Sequence, residues 1–263
     1  MTGSSADERE LLDVAREAAD AAATELRTRF GEHARGVRTK STPTDLVSDA
    51  DVAAESAIRD VLSARRPGDA ILAEESGASG DGALRWVVDP LDGTINFLFG
   101  IPAFAVSVAC EDSEGALAGV VLDPIRNEWF AATRSGEALL GGQPIHGRGG
   151  EDLSHAMVAT GFAYDAAVRA RQADVLARVL PRVADVRRVG AAALDLAWCA
   201  CGRFDAYYER GLHPWDVAAG ALIAERAGLV VRPLSEAGSD PAGVVAAPPA
   251  LIDELYELVV GPA

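Results

Sequence analysis

Lysine is almost missing from this chain: Lys40 is the only one, and every other strongly basic side chain is an arginine. That ammonium is therefore a candidate for a position that needs a compact point charge. Positive charge of any kind is scarce, with 24 Lys and Arg against 40 Asp and Glu and a net charge of −16. So negative a surface argues against a nucleic-acid partner, which requires a basic footprint. Cysteine is scarce too. Cys110, Cys199 and Cys201 are an odd set with no histidine beside them. They read as small buried residues of a reduced, cytoplasmic protein, not as a disulfide frame or zinc site. No apolar run approaches the roughly 18 residues that span a bilayer, so no membrane partner is expected. Met1–Glu10 is polar and acidic, without the basic and apolar regions of a signal peptide.

What is abundant is apolar residue, 49% of 263, enough for a large core. Ser5-Ala6-Asp7-Glu8 reads as a capping box, and Leu11, Val14, Ala18, Ala22, Leu26 and Phe30 recur at helical spacing before Gly31. Ser48 is placed to cap a second helix, whose apolar face is Val52, Ile58, Val61 and Leu62. Ala70–Ala73 reads as a strand running into Glu74-Glu75, two neighbours that must point in opposite directions, and 76–82 as a mobile loop. Strands at 104–110, 116–123 and 128–133, joined by tight turns, predict an antiparallel sheet. After the glycine-rich linker at 147–150, strands at 157–160, 185–189 and 204–209 alternate with helices at 166–180 and 191–201. That order predicts parallel βα units. A helix opening at Trp215-Asp216, closing strands and an amphipathic helix at 249–260 follow. The change divides the chain into an N-terminal half, 1–147, and a C-terminal α/β half, 148–263, that share one functional unit.

Everything is organised around Trp86-Val87-Val88-Asp89-Pro90-Leu91-Asp92-Gly93-Thr94-Ile95-Asn96-Phe97. Pro90 cannot donate to a sheet ladder, so the buried strand is expected to end at Asp89. Gly93 permits a tight turn and Thr94 can start a short helix. Two carboxylates beside a helix N-terminus are costly in an apolar core. They suit a divalent cation bridging them to a bound phosphate. An Asx-rich surface turn remains open on this stretch alone.

The wider pattern resembles the inositol monophosphatase family, and most closely its bacterial inositol-1-monophosphatase branch. The resemblance rests on Ala73-Glu74-Glu75, on Asp89-Pro90-Leu91-Asp92-Gly93-Thr94-Ile95-Asn96-Phe97 and on Trp215-Asp216-Val217-Ala218-Ala219-Gly220. It extends to Lys40–Asp45 and Arg188–Asp195. The resemblance implies an αβαβα sandwich with an antiparallel N-terminal sheet and a mixed, largely parallel C-terminal one. It implies two or three Mg²⁺ ions: Glu74, Asp89 and the Leu91 carbonyl on a first, with Asp89, Asp92 and Asp216 on a second. Catalytic roles would fall to Glu74 and to Thr94 with Asp51, a pair that orients and deprotonates the attacking water. The N–H groups of Gly93 and Thr94 would grip phosphate, Lys40 would lie near the metals with Glu75 behind, and Glu209, Gly190 and Ala192 would meet inositol hydroxyls. Lithium sensitivity and a homodimer follow from the same resemblance. On its own, Asp51 is equally a first-turn carboxylate favoured by the helix dipole. There are departures: Ala73 for glycine, Ala191 for Ser or Thr, and Phe99 where His or Tyr is common.

The expected activity is therefore hydrolysis of a small phosphate monoester, inositol-1-phosphate foremost. Histidinol phosphate, 3′-phosphoadenosine 5′-phosphate and fructose 1,6-bisphosphate are alternatives for the same chemistry, and a regulatory or RNA-associated role is the alternative outside catalysis. Asp92-Gly93-Thr94 also resembles the haloacid dehalogenase motif. That chemistry needs a nucleophilic aspartate two residues upstream and a later lysine, and here the upstream aspartate is Asp89 and no lysine follows Lys40.

Overall fold

The computed structural model describes residues 5–31, 38–39 and 46–261. Lys40, with its neighbours up to Asp45, lies outside them. Helix α1 (Ser5–Arg29) is followed by the two-residue strands β1 (Arg38–Thr39) and β2 (Leu46–Val47) and by α2 (Asp49–Arg65). Then come β3 (Ala70–Ala73), β4 (Gly77–Ser79), β5 (Arg85–Asp92), the short α3 (Thr94–Leu98), β6 (Ala105–Asp112), β7 (Gly115–Asp123), β8 (Glu128–Thr133), β9 (Leu139–Leu140) and β10 (Gln143–Pro144). The C-terminal part holds β11 (Met157–Thr160), α4 (Ala166–Val179), β12 (Asp185–Arg187), α5 (Ala192–Ala200), β13 (Ala206–Arg210), α6 (Pro214–Arg226), β14 (Val230–Leu234), β15 (Gly243–Ala247) and α7 (Ile252–Val260).

Two large sheets result, an eight-stranded one in the order β10-β9-β8-β7-β6-β5-β3-β4 and a five-stranded one in the order β12-β11-β13-β15-β14. Four hydrophobic clusters are the contacts between five layers. Alternation along β6 shows why: Val106, Val108 and Cys110 face α1 and α2, whereas Ala105 and Ala109 face α5 and α6. The second face is small by necessity, because a Cβ on Gly119 would lie 2.9 Å from the Ala219 α carbon of α6. Tyr207 of β13 turns toward the α5–α6 layer and Tyr208 toward the outer layer of α4 and α7. The fold is the αβαβα sandwich, and α5 and α6 are the middle layer that both sheets share.

Several local expectations change. The 76–82 segment contributes β4, an edge strand antiparallel to β3, and Gly82 lies so close to Gly68 that any side chain would overlap its carbonyl. The larger sheet is not wholly antiparallel, since β3 pairs parallel with β5. In the smaller sheet β11 pairs parallel with β12 and β13, but β15 runs antiparallel to both its neighbours. Strand β5 does not stop at Asp89: it passes Pro90 through a register shift and pairs again at Asp92 with Ala105. Proline is tolerated there because a bulge leaves its position without a ladder partner. On α2, Val52 is 55% exposed, and the buried face is Ala50, Asp51, Ala54, Glu55, Ile58 and Leu62. Glu8 sends its carboxylate to Ser135, accepting from the backbone N–H at 2.9 Å and the hydroxyl at 2.6 Å, while the Ser5 side chain lies outside the described residues.

Candidate active site

The bulge in β5 sets the geometry. Asp89 Oδ1 accepts from the Leu91 N–H at 2.9 Å, which turns the chain so that Asp89, Asp92 and the Leu91 carbonyl face one space. Gly93 then adopts φ +96°, and a Cβ there would press within 3.2 Å of Phe104 and the Ala103 carbonyl. Only glycine satisfies both conditions. The chain enters α3 at Thr94, and no described residue accepts from the N–H groups of Gly93 and Thr94.

Asp51 reaches this turn from α2. Ser48 caps the helix, its Oγ accepting from the Ala50 N–H at 3.2 Å. Asp51 closes the box, with Oδ2 accepting from the Ser48 N–H at 2.8 Å and hydroxyl at 2.7 Å. That leaves Oδ1 aimed inward, 3.0 Å from Thr94 Oγ1, which also lies 3.1 Å from the Leu91 carbonyl. A hydroxyl has one proton, so it donates to one of these two at a time. Asp51 is fully buried, which a first-turn carboxylate serving only the helix dipole would not be.

The C-terminal half supplies the opposite wall. Ala191 is the N-cap position of α5 and has no side chain with which to cap. Asp92 does it instead, Oδ1 accepting from the Ala192 N–H at 3.1 Å and Oδ2 from the Ala193 N–H at 2.7 Å. The Ala191 departure thus concerns a helix cap buried behind Gly93, not the cavity wall, and the Phe99 side chain projects to solvent at 75% exposure. Asp216, in the first turn of α6, accepts from the His213 N–H at 2.7 Å. The residues converge on a cavity of about 250 Å³ whose lining includes Glu74, Asp89, Leu91, Asp92, Gly93, Thr94, Gly190, Ala192, Glu209 and Asp216. Ala192 is there, but its N–H is already spent on Asp92. Glu75 does not line the cavity; its backbone N–H donates to Glu55 at 2.8 Å.

The electrostatics are those of crowded acids. Burial and the neighbouring Glu74, Asp92 and Asp216 push Asp89 well above the ordinary carboxylate range. Asp92 is pushed up to about 8 by burial and Asp216, against the pull of the α5 amides. Asp216 rises to about 7, chiefly through burial. The Asp89 carboxyl is hydrogen-bonded to both Glu74 and Asp216, a contact that requires shared protons or a cation. Among the described residues, no three acidic, His or Cys side chains are grouped closely enough to hold a metal ion as they stand. The donor set nevertheless fits a hard divalent cation: carboxylates and one carbonyl, with no His or Cys nitrogen or sulfur in the cluster. A wider groove of about 790 Å³ runs from Arg148 to Leu251, but its buried acid, Asp205, is engaged by the Met157 N–H.

Three groups escaped the sequence reading. Arg188, just before Gly190, is the cavity's arginine, and His213 stacks on Trp215 at its rim with ring centroids 4.9 Å apart. Asp195 of α5 is fully buried, and neither of its oxygens has a hydrogen-bond partner among the described residues. Burial, then Glu209 and Asp92, raise its pKa well above the usual range. Arg188 and Asp195 both stand inside the Arg188–Asp195 segment already matched to the family, which was the available signal.

The Inositol monophosphatase family matches residues 7–260. An inositol-1-monophosphatase SuhB from Mycobacterium tuberculosis is 46% identical over 239 residues, covering 87% of this chain and 82% of that protein. A Nus factor SuhB from Salmonella typhimurium is 43% identical over 190 residues, 71% of each chain. The crystal structure of the extragenic suppressor protein suhB from Bartonella henselae superposes with a TM-score of 0.87 at 36% identity, covering 95% of this chain and 98% of that one. With the family matched from α1 to α7, this chain belongs to the inositol monophosphatase family and is a phosphoric monoester hydrolase.

Proposed function

We propose that the chain is a Mg²⁺-dependent phosphatase whose substrate is inositol-1-phosphate. The observation that carries the metal requirement is the contact of Glu74, Asp89 and Asp216 through their carboxyl groups, with Asp92 alongside. Two buried acids, Asp89 and Asp92, and two half-buried ones, Glu74 and Asp216, on one cavity are mutually repulsive unless protons or cations intervene. Glu74, Asp89 and the Leu91 carbonyl would hold one ion, and Asp89, Asp92 and Asp216 a second. Mg²⁺ bound there supplies Lewis-acid stabilisation of the phosphoryl oxygens and of the leaving oxygen.

The chain's own residues do the rest. With the Leu91 carbonyl committed elsewhere, the Thr94 proton goes to Asp51 Oδ1, and the Thr94 oxygen is free to accept from a water. As that water attacks phosphorus, its proton passes by way of Thr94 to Asp51, and the departing alcohol takes its proton from solvent. The N–H groups of Gly93 and Thr94 point two donors at the phosphate. Glu209 accepts from the Tyr207 hydroxyl at 2.7 Å and keeps its other oxygen for substrate hydroxyls. That arrangement supports a polyol monophosphate over histidinol phosphate, a nucleotide or a bisphosphate.

Protein stripped with EDTA should release no phosphate from inositol-1-phosphate, and added Mg²⁺ should restore turnover. Full activity in EDTA overturns the proposal. Inhibition by Li⁺ and a dimeric sedimentation coefficient belong to the same reading, supported by family membership. The name Nus factor belongs to the Salmonella relative; the net charge of −16 and the assembled acids here favour catalysis over nucleic-acid binding.

A further inference from the structure

Arg188 and Glu209 both line the candidate site, each in a notch left by an absent side chain. A Cβ on Gly190 would overlap the Arg188 guanidinium, so the bare α carbon is what lets that group lie over the cavity wall. A Cβ on Gly161 would overlap the Glu209 carboxylate in the same way. The two charges sense one another, since Arg188 draws the Glu209 pKa down against the effect of burial. Yet they do not pair, and Arg188 makes no hydrogen bond or ion pair with any described residue. Elsewhere arginine near a carboxylate closes on it, as Arg126 does on Asp123 at 2.8 Å and Arg203 on Glu128 at 2.6 Å. The separation in the cavity is therefore a feature of this site.

Arginine can only donate and an ionised carboxylate can only accept. A group placed between them must accept on one side and donate on the other, which neither a phosphate nor an ammonium does. Adjacent hydroxyls do both at once. We propose that Arg188 is a specificity-determining residue that, opposite Glu209, selects a leaving group carrying vicinal hydroxyls. A cationic leaving group meets repulsion from Arg188, and a second phosphate meets repulsion from Glu209. This rests on the phosphatase reading above and adds to it the residue that sorts substrates.

The test is steady-state kinetics of the Mg²⁺-loaded protein on inositol-1-phosphate and on p-nitrophenyl phosphate, which lacks the hydroxyls. Arg188→Ala should raise KM for inositol-1-phosphate about tenfold more than for p-nitrophenyl phosphate, with the larger change in KM and not kcat. Arg188→Lys should recover part of the loss. Because one diol bridges both residues, Arg188→Ala combined with Glu209→Gln should lose less than the two single losses together. Equal changes on both substrates overturn the proposal. So does a larger loss on fructose 1,6-bisphosphate than on inositol-1-phosphate, which would make Arg188 a phosphate contact. If the wild type hydrolyses other monoesters but not inositol-1-phosphate, the substrate assignment fails by itself. Glycerol 1-phosphate, a vicinal diol, then takes its place in the same comparison, and Arg188 is judged separately.

Discussion

At the scale of single residues, the decisive fact is that Asp51 has two different oxygens. Oδ2 is held by the Ser48 N–H and hydroxyl, and Oδ1 meets Thr94. An amide in its place keeps the shape and loses the ability to take a proton. Asp51→Asn and Thr94→Ala should therefore lower kcat by about 10²-fold or more, the usual worth of a positioned base. Mg²⁺ affinity, measured by calorimetry, should fall further in Glu74→Gln than in Asp51→Asn. If Asp51→Asn shifts only the melting temperature and leaves turnover intact, the carboxylate is a cap and nothing more.

At the scale of elements, helix ends do the aiming. Three carboxylates of the site engage free N–H groups at helix N-termini, Asp51 on α2, Asp216 on α6 and, from another element, Asp92 on α5. Those hydrogen bonds fix the direction of each acid, which the proposed cation site would draw on. Ser48 links the helix cap to the proposed proton acceptor, since its hydroxyl both accepts from Ala50 and donates to Asp51. Ser48→Ala should cost about 1 kcal/mol of stability, a fall in Tm of about 2–4 °C. It should also lower kcat several-fold with little change in KM, because the Asp51 carboxylate loses one of its two anchors. A loss of Tm with kcat unchanged would show that the cap and the proton acceptor are independent.

Across the whole molecule, the site joins four of the five layers, from Asp51 on α2 to Glu209 on β13, and its acids link stability to pH. Asp92 is raised from an ordinary 3.8 to about 8, Asp216 from 3.8 to about 7 and Glu209 from 4.5 to about 7. Raised folded-state values mean that the folded protein binds more protons than the unfolded chain between those limits. Their stabilisation is complete below the ordinary values and is lost as pH rises through about 7 to 8. The metal-free protein should accordingly melt at a lower temperature at about pH 8.5 than at about pH 6. Mg²⁺ bound as proposed would displace those protons, so its stabilising effect should be larger at the higher pH. Thermal melts of EDTA-treated protein at both values, with and without Mg²⁺, measure this. A metal-free protein that gains stability toward high pH would contradict the electrostatic account.

Amino-acid order was enough for most of the helices and strands, the family motifs in it for the layer scheme, and both for picking out Glu74, Asp89, Asp92 and Asp216, which line one cavity. Hydrophobic period distinguishes helix from strand locally, and carboxylates stranded at the ends of apolar runs, as Asp89 and Asp92 are, have few uses other than a cation. Strand β8 and strand β11 fall where the alternation places them. Tertiary structure alone decided which side chains are buried and which way each one faces. Asp51 reads as a solvated first-turn residue until α2 packs its polar start against the β5 bulge, and Val52 beside it reads as core until that packing turns it outward. Asp92 takes the place of the missing cap of α5 from a distant part of the chain, because Ala191 has no capping side chain. Beyond its place at the head of a family-matched segment, Arg188 carries no signal of its own, since an arginine after a strand is ordinary surface until Gly190 leaves it room at the cavity. Period and composition act within a few residues of chain, whereas burial, desolvation and the choice of hydrogen-bond partner depend on what the fold brings from elsewhere.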